Sequence, residues 1–142
     1  MFRLNIAHLQ ANLFNTATNM DPRIRKKLEG SWAPLFYKHV FCRIDETPFA
    51  QLYAEQTGRP NFPVNILLGL ETIAALKDYT VEEMLEQFHF NYQIQWALGI
   101  RNIGECPLAE RTVYYFRERL YLHALRNPGK NDLIYQQFQA IT

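Results

Sequence analysis

The chain of 142 residues is long enough for one ordinary domain and too short for two large ones. Its composition, 48% apolar, 14% aromatic and 20% charged, is typical of a folded globular protein and excludes a disordered tail, a collagen-like chain and a coiled coil. Fifteen Lys and Arg against fourteen Asp and Glu leave a formal charge of +1, so any attraction to nucleic acid or to a membrane must come from local patches.

Nothing in the sequence indicates export or membrane insertion. The first five residues are not a basic segment that leads into a long apolar stretch. The longest strongly apolar stretch, residues 64–76, is too short to cross a bilayer. Cys42 and Cys106 lie far apart and form neither a Cys-x-x-Cys pair nor a disulfide framework. We therefore expect a soluble, cytoplasmic protein with no membrane partner.

Helical periodicity dominates, and the first third of the chain predicts short helices after a weakly patterned start. Residues 1–20 are polar and are expected to drape over the domain or to be mobile. The Asp-Pro pair at 21–22 predicts a helix start, and Gly30 predicts where that helix ends. A second helix is expected over residues 31–42 and a third, short one from Asp45 onwards.

The clearest break in the chain is the segment of residues 57–63, which contains one glycine and two prolines. These residues forbid a continuous helix. We therefore predict an N-terminal helical extension over residues 1–57 and a tighter helical core over residues 58–142.

The predicted core begins with a central helix at residues 63–77, because apolar side chains cover nearly its whole circumference, as in a buried helix. Thr80 and Glu83 have the spacing of a capping box at the start of the next helix. A short helix follows from Asn91, and we expect Gly99 to end it in the left-handed conformation.

Two further helices are predicted at about residues 109–126 and 131–141, separated by the Asn-Pro-Gly break at 127–129. The sequence therefore predicts an all-α fold, a compact multi-helix domain with a helical N-terminal extension. Its C-terminal half resembles a helix-turn-helix arrangement, although the loop at 100–108 is longer than the usual tight turn.

On a helical wheel, residues 109–126 separate into two faces. The core face, spanning about 80°, holds Val113, Phe116, Leu120 and Ala124. The opposite face holds Arg111, Tyr115, Arg119, Leu122 and Arg126, with Arg117 on a flank. Arginine can bind phosphate oxygens or the edge of guanine bidentately, tyrosine can donate to phosphate, and a helix fits the major groove. This face is therefore a candidate DNA-binding surface.

The same face has a simpler interpretation, since Arg, Glu and Tyr on a helix exterior commonly form a solvated surface with local ion pairs. The basic run at residues 23–27 is open to the same two interpretations.

No catalytic or metal-binding pattern is found. The four histidines have no metal-ligand spacing with one another or with the cysteines, and phosphate-binding and nucleophile motifs are absent. Glu82, Glu83 and Glu86 resemble a carboxylate cluster, but the first two are first-turn acids that favour the helix dipole. The aromatic residues at 96 and 114–116 fit a core better than a ligand-stacking surface. We expect no cofactor and no metal.

Five motifs then stand in an order and spacing that resemble the N-terminal domain of bacterial insertion-sequence transposases of the IS5/IS1182-like group. The motifs are GRPNFP at 58–63 followed by ILL at 66–68, LKDYTVEEML at 76–85, QWALG at 95–99, PLAERT at 107–112 and FRERL at 116–120. The resemblance covers roughly residues 45–125.

This resemblance implies a helical, non-catalytic domain that precedes a DDE-type catalytic domain and helps to bind the terminal inverted repeats of the element, which are double-stranded DNA. Three arginines match the family's Thr-x-x-x-Phe-Arg-x-Arg segment: Arg111, Arg117 and Arg119. With the helical wheel, the predicted DNA contacts are Arg111, Tyr115, Arg117, Arg119 and Arg126. Arg59 and Lys77 are predicted as secondary contacts to the DNA backbone.

A DDE nuclease needs three carboxylates on a sheet that holds two metal ions, and residues 1–142 offer no such sheet. We therefore expect no strand transfer by this chain alone. One alternative is a protein-interaction module, which forms a homo-oligomer or, as a truncated transposase, inhibits the full-length enzyme. A small enzyme is a further alternative for which the sequence supplies no site.

Overall fold

The computed structural model describes residues 1–10, 14–53, 58–130 and 132–142. In these residues the chain is all-α and contains no strand, which confirms the predicted fold class. The α-helices are α1 (Pro22–Glu29), α2 (Trp32–His39), α3 (Val64–Lys77), α4 (Val81–Phe90), α5 (Tyr92–Ala97), α6 (Glu110–Arg126) and α7 (Leu133–Ile141). Short 3-10 segments lie at Ala7–Leu9, Thr16–Asn19, Phe41–Arg43 and Thr47–Leu52.

The first helices begin at their capping residues. Asp21 accepts a hydrogen bond from the Arg23 amide at 2.8 Å, and Gly30 follows the last residue of α1, as predicted. Helix α2 ends at His39, earlier than the predicted residue 42, because the backbone turns at Val40. That turn directs Phe41 into the core, where it is 1% exposed.

Helix α3 is the central helix of the fold, as its apolar circumference predicts. The whole run from Val64 to Leu70 is buried, and so are Ile73 and Ala74. The helix leaves the core at its C-terminal end, where Leu76 is 76% exposed, and it ends at Asp78 in the left-handed conformation with φ of 56°.

A buried carboxylate lies at the N-terminus of α3. Glu46 is 5% exposed and accepts hydrogen bonds from the amides of Asn5 at 2.8 Å and Asn65 at 3.4 Å. Pro63, which precedes the helix, supplies no side-chain cap. Glu46 therefore satisfies a backbone donor of the first turn from a distant part of the chain, and it joins the N-terminal residues to the central helix.

The predicted capping box at the start of α4 is present. The Glu83 amide donates to the Thr80 hydroxyl at 3.2 Å, and the Thr80 amide donates to the Glu83 carboxylate at 3.1 Å. Asn91 caps α5, and Gly99 follows that helix with φ of 77°, as expected.

Residues from the first third of the chain and from the remainder share one core. Phe36, Phe41 and Phe49 are buried in the same cluster as Leu67 and Phe116, and the rings of Phe49 and Phe116 lie 6.4 Å apart. The predicted division after residue 57 falls at residues 54–57, which lie outside the described residues, and it stays a prediction.

The polar N-terminal segment lies across the outside of the helices where it is described. Thr16 joins it to the loop before α6: its amide donates to the Arg101 carbonyl at 3.1 Å, and its hydroxyl accepts from the Ile103 amide at 3.0 Å.

The predicted helix at 131–141 begins at Leu133 because Asp132 caps it, and Asn131 lies outside the described residues. Within the described part of the chain, no helix combines the length and the apolar character needed to cross a membrane.

Candidate nucleic-acid interface

Helix α6 is anchored in the core by one face of its first half. Val113 and Phe116 are each 1% exposed, and Leu120 is half-buried. The predicted core position Ala124 is exposed instead. The wheel was wrong there because α6 extends beyond the core, so Ala124 lines only an open cavity beside α7.

The opposite face of α6 carries four of the predicted contacts, Arg111, Tyr115, Arg119 and Arg126, and Arg117 lies on a flank. All five residues are exposed. Tyr115 is about half exposed, at 49%. An amphipathic helix with its apolar side fixed in the core therefore presents a stable row of polar side chains outward.

Arg117 differs from the other arginines because its charge is already matched. Its guanidinium donates two hydrogen bonds to the carboxylate of Glu71 on α3, Nε at 2.8 Å and Nη2 at 2.9 Å. These bonds raise the pKa of Arg117 above its usual value. The pair connects α6 to the central helix, which suits the flanking, supporting position that the wheel gave Arg117.

Arg119 lies against an aromatic ring. Its guanidinium carbon is 4.5 Å from the centre of the Tyr53 ring, which is the geometry of a cation–π contact. Burial raises the pKa of the Tyr53 hydroxyl, and the nearby Arg119 charge opposes that rise. The ring therefore holds the Arg119 side chain in position at the surface.

A groove of about 780 Å³ separates α6 from the segment at residues 58–63. We call it the α6 groove and define it by six lining residues: Tyr53, Arg59, Phe62, Thr112, Tyr115 and Arg119. The structure thus brings together three of the predicted contacts, Arg59, Tyr115 and Arg119. Glu105 and Cys106 also line it, and burial raises the pKa of the Cys106 thiol to about 11.

The N-terminal residues build part of the groove wall, which sequence reasoning missed. The Met1 nitrogen donates to the Arg59 carbonyl at 3.2 Å, the Asn61 amide donates to the Met1 carbonyl at 3.1 Å, and Met1 itself lines the groove. The Asn61 side chain also accepts a hydrogen bond from the Arg3 amide at 2.6 Å. No local pattern in residues 1–5 signals this pairing with a segment so distant in sequence.

The three remaining predicted contacts, Arg111, Arg126 and Lys77, do not line the groove. Arg111 is exposed in the first turn of α6. Arg126 lines a smaller cavity of about 160 Å³ further along α6, together with Arg119 and His123. The ring Nε2 of His123 lies 3.0 Å from Oε1 of Gln51. Lys77 is at the end of α3, with its amine 5.2 Å from the Trp32 ring centre, in a groove that no α6 residue lines.

A second stacked arginine, Arg101, was not predicted. Its guanidinium lies 3.9 Å from the Trp96 ring centre and 4.6 Å from that of Tyr37, and it donates to the Trp96 carbonyl at 2.8 Å. Burial lowers the pKa of Arg101 below its usual value. Its half-buried position between two rings indicates a structural role in joining α2 to α5.

In the part of the chain that the structure describes, no three His, Cys, Asp or Glu side chains are placed to hold a metal ion.

A family model described as "Transposase domain (DUF772)" matches residues 25–119, which is two thirds of the chain. The match begins within α1 and includes α2 to α5 and the first half of α6. Comparisons with curated proteins and with solved structures found no match.

Proposed function

The chain belongs to the family of transposase domains described as DUF772, and on that premise we propose that it is a non-catalytic DNA-binding domain. In this proposal it acts as the N-terminal domain of an IS5/IS1182-like transposase, and it recognises the terminal inverted repeats of the element. The observation that supports the proposal best is the exposed row of Arg111, Tyr115, Arg119 and Arg126 on a helix whose other face is buried.

The length of α6 suits a duplex. From Arg111 to Arg126 the helix rises about 22 Å, since each residue adds about 1.5 Å. The major groove of DNA is about 12 Å wide. The arginines near the two ends of α6 are therefore placed to reach phosphates on both sides of the major groove, while α4 and α5 support the helix as in a helix-turn-helix domain.

Only a few positively charged side chains are available for DNA, and they lie on and near α6. Arg117 is paired with Glu71, and we assign it a positioning role rather than a direct contact. Four arginines then remain for phosphate: Arg59, Arg111, Arg119 and Arg126. With a formal net charge of only +1, binding should be modest and sensitive to salt. Four neutralised phosphates give a slope of log K against log salt of about −4.

Fluorescence anisotropy with a duplex of the element end, titrated over a series of salt concentrations, tests this proposal. The double variant Arg111→Ala and Arg119→Ala should weaken binding and reduce the salt slope by about 2. A charge-matched control, Lys38→Ala on α2 with Arg43→Ala in the 3-10 segment that follows it, changes two exposed residues away from α6 and should leave the slope near its original value. Equal losses from both double variants, or none from the α6 variant, would contradict the assignment of α6.

The protein-interaction alternative is favoured by a different surface of the same helix. Tyr114, Tyr121 and Leu125 on α6 are 49%, 64% and 58% exposed, and Tyr135 on α7 is 50% exposed. Exposed apolar side chains that lie close together commonly mark a protein interface. Light scattering after size exclusion separates the two proposals. A dimer that does not bind DNA, and that dissociates in the double variant Tyr121→Ser and Leu125→Ser, would support the interaction module.

A further inference from the structure

We propose that the α6 groove binds one unpaired nucleotide of DNA, with its base stacked on Tyr115 and its phosphate held by Arg59 and Arg119. This inference rests on the proposed function, because the DNA-binding face of α6 would place a duplex directly beside the groove. It adds a ligand class, the unpaired nucleotide, that duplex recognition alone does not require.

The shape of the groove excludes a duplex from its interior. One wall is α6, and the other is the segment at residues 58–63, which is held in place by its hydrogen bonds to Met1 and Arg3. The volume enclosed between these walls is far smaller than the volume of a double helix, so a duplex does not fit inside. The volume of about 780 Å³ lies within the range of small-ligand sites, which suits a single nucleotide.

The aromatic residues that line the groove differ in what covers them. The Tyr53 ring is occupied by Arg119 at 4.5 Å, and Phe62 is half-buried in the wall. Tyr115 is 49% exposed, and among the described residues no aromatic ring or cation lies over it. An open aromatic face beside arginine is the surface on which unpaired bases stack, since every base has a π-face.

The charges in the groove favour an anion. Arg59 and Arg119 are both exposed and line it together. The opposing acid is Glu105, whose carboxylate accepts a hydrogen bond from the Asn102 side chain at 3.0 Å. The Cys106 thiol adds no negative charge at neutral pH: an ordinary thiol is already mostly neutral there, and burial raises the pKa of Cys106 further, to about 11. The groove therefore has two positively charged guanidinium groups and one negatively charged carboxylate. The excess positive charge favours binding of a phosphate.

The test compares two DNA probes on the full chain at one salt concentration: a blunt duplex, and the same duplex with a short single-stranded thymidine overhang. Stacking of one base on an aromatic ring predicts about tenfold tighter binding of the overhang probe. The quantity measured is the affinity for the overhang probe divided by the affinity for the blunt duplex. A change that affects duplex binding alone alters both affinities equally and leaves this ratio unchanged.

Two variants of one residue separate stacking from hydrogen bonding. Tyr115→Phe keeps the ring and loses the hydroxyl, and it should retain the ratio. Tyr115→Ala removes the ring and should bring the ratio to about one. The matched control is Tyr121→Ala, an exposed tyrosine on α6 outside the groove, which should retain the ratio.

Each outcome has a defined meaning. A ratio near one for the unmodified protein, or a ratio that survives Tyr115→Ala, overturns the nucleotide site. If the blunt duplex binds through α6 while the ratio is one, the proposed function stands and the groove inference fails alone. If the blunt duplex does not bind but the overhang probe binds and loses its affinity on Tyr115→Ala, the groove binds the nucleotide and duplex recognition fails.

Discussion

The guanidinium of Arg117 and the carboxylate of Glu71 are joined by two hydrogen bonds of 2.8 and 2.9 Å across the contact between α6 and α3. The side chain of Arg117 is 43% exposed and that of Glu71 is 22% exposed. A residue that sequence reasoning assigned to DNA is thus engaged by the protein itself. The pair also links α6 to the central helix.

The Arg117–Glu71 pair should contribute only modestly to stability because it is partly exposed. A double-mutant cycle with Arg117→Ala and Glu71→Ala, followed by urea denaturation, is expected to give a coupling free energy of about 0.5–1 kcal/mol. Repetition in high salt should reduce the coupling, since salt screens an exposed pair. A coupling indistinguishable from zero in low salt would mean that the pair does not hold α6 in place.

Glu46 should make stability depend on pH. Burial raises the pKa of this carboxyl above its ordinary value of 4.5. The folded state therefore holds its proton more tightly than the unfolded state. The stabilisation from this group is fully present below pH 4.5 and is lost as pH rises through the raised pKa of the folded state.

Glu46→Gln removes this contribution. The free energy of unfolding of the wild-type protein, minus that of the variant, should fall as pH rises above 4.5 and then level off. Urea denaturation at a series of pH values measures this difference in the free energy of unfolding, and near-ultraviolet circular dichroism checks that the variant is folded. A difference that rises with pH would show that the hydrogen bonds from the Asn5 and Asn65 amides outweigh burial.

Gly99 should tolerate no side chain. Its φ is 77°, and a Cβ there would lie 2.8 Å from the Cβ of His8 and 2.8 Å from a ring carbon of Phe41. Gly99→Ala combines a left-handed backbone cost of about 1–2 kcal/mol with an overpacking cost of about 1–3 kcal/mol. Thermal or urea unfolding measures the sum.

Gly104→Ala is the matched control for Gly99→Ala. Its φ is 86°, but nothing lies within 4 Å of an added Cβ. It should therefore show only the backbone cost of about 1–2 kcal/mol. Equal losses in the two variants would mean that the N-terminal segment and Phe41 move aside without cost.

The two cysteines should differ in reactivity. Cys42 is exposed, whereas burial raises the pKa of Cys106 to about 11, so Cys106 is almost wholly a neutral thiol near neutral pH. Titration with a thiol reagent should label one cysteine rapidly in the folded protein and the second only after denaturation. Cys42→Ser should abolish the rapid phase, and rapid labelling of that variant would show that the reagent reaches the Cys106 thiol through the α6 groove.

Local sequence patterns determined most of the helices and several of their ends. The Thr80 and Glu83 capping box, the Asp21 cap and the left-handed Gly99 were predictable because each involves atoms within about one turn of the chain. The burial of α3 was also predictable, because an apolar side chain at nearly every angle leaves no face for water. The outward direction of the α6 arginines followed from helical periodicity alone.

Only the tertiary structure decided what those arginines meet. Arg117 and its partner Glu71 are 46 positions apart, and no periodicity encodes such a pairing. The contact between the Tyr53 ring and Arg119, and the groove that Arg59 shares with Tyr115, depend in the same way on how the segments around residues 53 and 59 pack against α6. The exposure of Ala124 depends on where the core ends, which a wheel cannot show. Short-range chemistry sets the direction of each side chain, but packing between distant segments sets its neighbours and hence its charge balance.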